Sequence, residues 1–287
     1  MNTFPIGIKN LIVLCDETPD CEPRLDTALT MARKFDARLV GVYPQKLDSK
    51  CLSPEYLNQL PQTLQASISE NMTQFMDTVA RTARDLFERK VRSAGWEEKS
   101  RWRQINGSPN TVASVVSRFA DLVVCGQNDR KGIREFQALD PGEVVAVSGR
   151  PVFVVPRDYT PKGYSAHVLL GWNGSREASR AISDAMMILD TGTRVTIATV
   201  GPADDMPESF GFDMVIRLSN WGLETRQVEI DPVDGDCGLA LVRYARENQV
   251  DLIVMGAYSQ SRLRQRVFGG ATQSVLKQMA APVFLSH

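Results

Sequence analysis

The sequence has few histidines, no dense cysteine pattern and no long apolar run. Only His167 and His287 occur among 287 residues, which argues against a histidine-rich metal site and a Ser-His-Asp triad. The five cysteines show no Cys-x-x-Cys spacing, so neither a zinc ribbon nor a disulfide framework is indicated. No apolar run approaches the roughly 20 residues that cross a bilayer, and the first residues lack the apolar segment of a signal peptide. We therefore expect a soluble, reduced, cytoplasmic protein.

The chain also has no large excess of positive or negative charge. The chain has 33 basic and 34 acidic residues, a formal net charge of −1, so no overall field attracts it to nucleic acid or anionic membrane. Its four tryptophans do not alternate with a basic stripe, which argues against a stacking platform for bases. We predict neither a nucleic-acid nor a membrane partner.

Short apolar runs alternate with helical patterns along the whole chain. Runs such as LIVM at 252–255 suit strands that are buried on both faces of a parallel sheet. Strands are predicted at 11–15, 37–43, 96–104, 122–126, 151–155, 167–172, 193–200, 223–230, 252–255 and 282–285. Helices are predicted at 24–35, 53–93, 111–119, 176–189, 207–221, 239–247 and 271–279. This alternation predicts an α/β fold with right-handed crossovers.

The two halves of the chain repeat one another. DLVVCG at 121–126 matches DLIVMG at 251–256, and RPVFVV at 150–155 matches APVFLS at 281–286. A repeat of this size predicts two similar α/β domains, residues 1–157 and 165–287, joined by a short linker that contains Pro161 and Gly163.

A candidate anion site follows the strand at 252–255. Gly256 ends the strand, an arginine-rich loop follows, and Gly269-Gly270 precedes the predicted helix 271–279. Glycines let bare backbone approach a phosphate, and the amide groups of a helix N-terminus point at it.

This stretch resembles the nucleotide loop of the universal stress protein family. The family loop runs Gly, two residues, Gly, nine residues, Gly, then Ser or Thr. Here it reads Gly256, two residues, Ser259, nine residues, Gly269 and Gly270, with Thr272 two residues later. Because the order of elements is repeated, the chain resembles a tandem, two-domain member of that family.

The resemblance implies a fold and a function. The fold would be two tandem HUP-like, Rossmann-like α/β domains, each a five-stranded parallel sheet with flanking helices. The function would be stress-response binding of ATP or AMP, with Mg²⁺ accompanying the nucleotide and no other metal. In that family the last strands often pair antiparallel, so 151–155 and 282–285 would form a pseudo-dimer within one chain, and a homodimer is a further arrangement.

The two halves differ at the implied site. The first half keeps Asp16 at the position of the family's Asp, but Leu139 and Asp140 replace Gly269 and Gly270, and a carboxylate there repels phosphate. The run from Asp140 to Glu143 is typical of a helix start, with Asp as N-cap and Glu in a capping box. We predict that the first-half nucleotide site is lost and that Asp16 is a strand-end or loop residue.

The second half keeps the glycines, with Asn173 in place of the Asp. Asn173 would contact ribose, Val200 would line the base pocket and Arg262 would reach phosphates. No catalytic residue is predicted. The predicted nucleotide-binding residues are Asn173, Gly174, Val200, Gly256, Ser259, Arg262, Gly269, Gly270, Ala271 and Thr272.

Nearby polar residues have simpler readings as helix caps. Asp231, Asp234 and Asp236 resemble part of a calcium loop, but no twelve-residue pattern follows, and Asp236 is predicted to cap the next helix. Ser175 is also predicted to be an N-cap, since no histidine partners it as a nucleophile.

Two other functions stay open. The first is an interaction module that binds no nucleotide and acts through the long helix at 53–93. The second is a weak ATPase or a nucleotidyl-transfer relative. Against an enzyme, the sequence has no GxxxxGK[ST] motif and no obvious base beside the glycine loop.

Overall fold

The computed structural model describes residues 7–45, 61–127, 139–201, 209–257 and 270–287. These residues form ten strands and eight helices. The strands are β1 Asn10–Leu14, β2 Arg38–Gln45, β3 Ser100–Asn106, β4 Leu122–Gly126, β5 Val152–Val155, β6 His167–Gly171, β7 Arg194–Val200, β8 Glu224–Ile230, β9 Leu252–Gly256 and β10 Val283–Ser286. The helices are α1 Cys21–Phe35, α2 Gln62–Ser93, α3 Pro109–Ser117, α4 Pro141–Ser148, α5 Arg176–Ala185, α6 Ser209–Ser219, α7 Cys237–Glu247 and α8 Ala271–Gln278.

All ten strands belong to one sheet, in the order β3-β2-β1-β4-β5-β10-β9-β6-β7-β8. Neighbouring strands are parallel within each half, and the halves meet where β5 and β10 pair antiparallel, with Phe153 opposite Phe284. The α/β fold with parallel strands is confirmed, and the pairing expected of 151–155 and 282–285 is present. The domain limits 1–157 and 165–287 stay a prediction.

Helices cover both faces of the sheet, which explains the apolar strands. Residues of α1, α2, α5 and α6 pack in one core layer, and residues of α3, α4, α7 and α8 pack in the other. The strands at the centre, β5 and β10, are buried at every position, because helices cover the sheet on both faces. Within the described residues, no helix is long and apolar enough to cross a membrane.

Two predicted elements need correction. The strand predicted at 96–104 begins only at Ser100, because Glu97–Lys99 form a 3-10 turn in which Lys99 N–H donates to Trp96 O at 3.2 Å. The helix predicted at 176–189 ends at Ala185. There Met187 and Ile188 donate to carbonyls three residues back, which tightens the chain into turns. Of the long helix predicted at 53–93, the described part is Gln62–Ser93.

We expect the central pair of strands to contribute strongly to stability. Phe284 is fully buried beside Phe153, so Phe284→Ala should lower the free energy of unfolding by about 3–5 kcal/mol in urea titrations, through lost burial and a cavity. Phe119, 77% exposed, is the control, and Phe119→Ala should change stability by less than about 0.5 kcal/mol. Equal effects of the two substitutions would contradict this account.

Candidate functional site

Three of the predicted site residues lie at neighbouring strand ends. Strands β9, β6 and β7 are adjacent in the sheet and parallel, so their carboxyl ends meet at one edge. Asn173 follows β6 by two residues, Val200 ends β7 and Gly256 ends β9. Ligands of open α/β sheets bind at such an edge. The predicted residues Ser259, Arg262 and Gly269 lie outside the described residues.

Asn173 and Gly174 form the turn that leads into α5. Asn173 Oδ1 accepts the N–H of Ser175 at 3.2 Å, and Gly174 has a φ of 70°. Ser175 Oγ then accepts the N–H of Ala178 at 3.1 Å, as predicted for an N-cap. The exposed Asn173 therefore has a local role in the turn, beside any contact with a ligand.

Gly256 has a packing reason to be glycine. A Cβ atom at this position would lie 2.5 Å from both Ala178 N and Glu177 C. The first turn of α5 thus rests directly on the end of β9, and a side chain there would separate them. This requirement is independent of phosphate binding.

Helix α8 begins without a side-chain cap. Its N-cap residue, Gly270, has a φ of 108° and a ψ of −157°, a conformation that favours glycine. Thr272 is buried, and Ala271 packs so closely on α7 that a Cβ on Gly238 would lie 2.3 Å from Ala271 O. The amide groups of the first turn of α8 consequently have no side-chain acceptor among the described residues.

The equivalent helix of the first half is capped. Asp140 Oδ1 accepts the N–H groups of Gly142 at 3.0 Å and Glu143 at 3.4 Å, which confirms the predicted N-cap of α4. The predicted capping box is wrong in its second bond, because the N–H of Asp140 donates to Asn110 Oδ1 at 2.8 Å and Glu143 accepts from Asn110 Nδ2. A carboxylate therefore caps α4, whereas no side chain of the described residues caps α8.

Asp236 caps the neighbouring helix α7, as predicted. It accepts the N–H groups of Gly238 at 2.7 Å and Leu239 at 3.2 Å, and the hydroxyl of Ser274 donates to its other oxygen. Burial raises the pKa of the Asp236 carboxyl, and these three donors outweigh that effect and hold its pKa below the usual value. Asp236 thus links the starts of α7 and α8.

In the first half, a guanidinium group lies at the corresponding strand ends, those of β1 and β4. Arg24 is 5% exposed, and its Nη1 donates to Leu14 O at 2.6 Å and to Asp16 Oδ2 at 2.7 Å. A Cβ on Gly126 would lie 2.3 Å from Arg24 Nη2. The side chain therefore lies across the ends of β1 and β4. The residue aligned with it in the second half, 157 positions later, is the small, buried Ala181.

Sequence reasoning missed Arg24. It predicted Asp16 as a strand-end or loop residue; Asp16 lies two residues after β1 and is, in addition, the partner of a buried cation. Burial raises the pKa of the Asp16 carboxyl, and the charge of Arg24 with the hydrogen bonds from Thr18 outweighs it, so this pKa is lowered. Arg24 lies next to Leu25 on the buried face of α1. An arginine at a position expected to be buried was the sequence signal that could have revealed this ion pair.

Comparisons with known proteins point to one family. The model of the universal stress protein family matches residues 165–287. A curated universal stress protein of Synechocystis sp. (strain ATCC 27184 / PCC 6803 / Kazusa) is 33% identical over 141 residues. The second half of this chain, residues 165–287, is thus similar to the universal stress protein family. The aligned part spans about half of each protein, 47% of this chain and 46% of the relative.

Two solved structures share the fold of this chain along most of its length. A universal stress protein from Archaeoglobus fulgidus DSM 4304 aligns over 98% of this chain and 97% of its own, with a TM-score of 0.70 and 16% identity. A protein of Pseudomonas aeruginosa UCBPP-PA14 assigned to the same family aligns over 98% and 94%, with a TM-score of 0.59 and 13% identity. At these identities the likeness concerns the fold alone.

The Arg24–Asp16 ion pair of the first half leads to a stability prediction. Asp16→Asn leaves Arg24 buried without its counter-charge and should cost about 3 kcal/mol in urea unfolding at neutral pH, near the low end for buried pairs because Asp16 is 37% exposed. The native pKa of Asp16 is lowered, so its contribution is present above about pH 4 and is lost as the pH falls further.

The control is the more exposed pair Lys34–Asp190. Its atoms are 2.6 Å apart and its side chains are 30% and 56% exposed, so Asp190→Asn should cost less than about 1 kcal/mol. If Asp16→Asn costs no more than Asp190→Asn, the buried role of Arg24 is refuted.

Proposed function

We propose that this chain acts as a universal stress protein whose second half binds an adenine nucleotide, ATP or AMP, at the carboxyl edge of β9, β6 and β7. Binding, without strong catalysis, is then the means by which the protein acts in the stress response. Asn173 and Gly174 face the ribose, Val200 the base, and Gly270, Ala271 and Thr272 the phosphates. Mg²⁺ accompanies the nucleotide.

The uncapped start of α8 is the observation that carries the proposal. Amide groups that no side chain of the described residues caps, together with the positive end of the helix dipole, favour an anion, and phosphate is the anion that a nucleotide supplies. The glycines at 269 and 270 precede this turn, and Gly270 has the positive φ that places backbone, rather than a side chain, at the helix entrance.

A single nucleotide per chain follows from the difference between the halves. In the first half, Asp140 takes the amide groups of α4, and the Arg24 side chain lies across the ends of β1 and β4. Both features oppose binding there: the carboxylate repels phosphate, and the side chain occupies the volume.

Isothermal titration of the full chain, stripped of nucleotide, tests the proposal. We expect ATP or AMP to bind with a stoichiometry near one. Gly270→Asp, which gives α8 the cap that Asp140 gives α4, should weaken binding on the order of tenfold or more, since it removes amide donors and adds a like charge.

Gly270→Ala is the matched control, because it carries the same backbone strain without the carboxylate. It should weaken binding clearly less than Gly270→Asp. Absence of binding to the folded wild-type chain would refute the nucleotide proposal, and equal losses in both variants would show that strain, not charge, is responsible.

An interaction module is the second candidate, favoured by the exposure of α2. Its 32 residues extend about 48 Å, and Phe75 near its middle is 60% exposed while Phe87 further along is buried. A folded chain that binds no nucleotide in the titration would favour this function. Phosphate release in the same samples tests the weak ATPase alternative.

We also propose a cytoplasmic location. The four cysteines among the described residues carry free thiols, as is usual in a reducing compartment.

A further inference from the structure

One of the two histidines of the chain is buried where β6 begins. His167 is 5% exposed and is the first residue of that strand. Its ring Nδ1 lies 3.2 Å from the backbone oxygen of Asn248, at the end of α7, and its Nε2 lies 3.0 Å from Thr196 Oγ1, on β7. The ring therefore joins three elements of the second half, at the edge of the sheet opposite to the proposed nucleotide site.

The partners of the ring fix its protonation state. A backbone carbonyl only accepts, so Nδ1 of His167 carries the hydrogen and donates it to Asn248 O. Thr196 Oγ1 accepts the Nε–H of Arg226 at 3.0 Å, which leaves the hydroxyl hydrogen of Thr196 for His167 Nε2. A second nitrogen of Arg226 donates to the Tyr244 hydroxyl of α7 at 2.9 Å and so holds the guanidinium in place. The neutral ring, with its one hydrogen on Nδ1, satisfies these groups together.

Charged side chains of β7, β8 and the turn before β9 lie close enough to act on the ring. They are Arg194, Arg226 and Asp251. Asp251 Oδ2 accepts the backbone N–H of His167 at 3.0 Å, and its Oδ1 lies 3.9 Å from Lys162 Nζ. Burial lowers the pKa of His167, and the two arginines act in the same direction. Together they outweigh Asp251 and the carbonyl that accepts from Nδ1.

The first half provides the contrast. Asn10, 157 residues earlier, begins β1, and its backbone N–H donates to Asp121 Oδ2 at 2.8 Å, as that of His167 does to the carboxylate of its own half. By strand register, Val40 of β2 takes the place of Thr196 and has no hydroxyl group. Asn10 does not titrate, so the described residues of the first half hold no counterpart of this contact at that position.

We propose that the contact of His167 with Thr196 and Asn248 is an acid-sensitive switch in the second half. At neutral pH the uncharged ring joins β6, β7 and the end of α7. A proton taken from solvent onto Nε2 points at Thr196 Oγ1, which already accepts from Arg226, and it places an imidazolium beside a guanidinium. The hydroxyl hydrogen of Thr196 loses its acceptor at the same time, so acidification breaks the contact.

Acid should therefore lower the stability of the folded chain through this group. The pKa of His167 is lowered in the native state, so the unfolded chain binds the proton more readily. The contribution of His167 is present above about pH 6.5, the usual histidine value, and is lost as the pH falls below it. One proton taken up on unfolding raises the equilibrium constant of unfolding by up to about tenfold for each pH unit in that range. The switch needs no ligand and is independent of the nucleotide proposal.

NMR of the full native chain, labelled with ¹³C at histidine, tests the protonation step. The chain contains two histidines, so His287→Asn leaves one ring signal and identifies His167. We expect the His167 signal to keep the position of a neutral ring as the pH falls and to titrate with a midpoint clearly below pH 6.5. A midpoint at or above about pH 6.5 in the folded chain would overturn the proposal.

Urea unfolding between pH 7.5 and pH 5.0, without nucleotide, tests the consequence. The equilibrium constant of unfolding of the wild-type chain should rise on the order of tenfold over this range. His167→Asn, which introduces the residue found at the equivalent position of the first half, should remove most of that rise, and His287→Asn is the matched control that should keep it. Equal pH profiles of the wild type and His167→Asn would contradict the switch, and if His167→Asn does not fold, the NMR midpoint of the wild type decides.

Discussion

The antiparallel pairing of β5 with β10 is the contact on which the rest of the structure depends. Each half alone would end in an apolar edge strand, which is a template for aggregation. Pairing Phe153 with Phe284 removes both edges and places the two strands at the centre of one sheet. Two further contacts support this arrangement: Gln127 donates to the last-turn carbonyls of α8, at 2.9 Å to Leu276 O and 3.1 Å to Lys277 O, and Lys34 pairs with Asp190.

The same pairing lets two similar halves take different roles. The ends of β1 and β4 hold the Arg24–Asp16 pair, while in the second half no side chain of the described residues caps α8. Because Gln127 comes from the first half and caps the C-terminal end of α8, the helix of the proposed site is held by both halves. Under the proposed function, the first half would therefore support the nucleotide site of the second half.

Most of the fold and part of the candidate site could be predicted from local patterns in the sequence. The apolar runs, the internal repeat and the caps Asp140, Asp236 and Ser175 were predictable, since each depends on neighbours within a few residues. Arg24 was not, because its long side chain turns back from a helix to two strand ends, and only the packed fold brings these together. The packing role of Gly256 against Ala178 was hidden for the same reason, since a glycine pattern does not tell a phosphate approach from a close helix contact.

The central claim, that the start of α8 is open to an anion and the start of α4 is closed, has a direct measurement. Hydrogen exchange of the full chain, with and without ATP, reports on the amide groups at the start of each helix. We expect ATP to slow exchange at Ala271 to Gln273 and to leave Gly142 to Val144 unchanged. Protection at Gly142 to Val144, or no protection at either helix while ATP binds, would contradict the account.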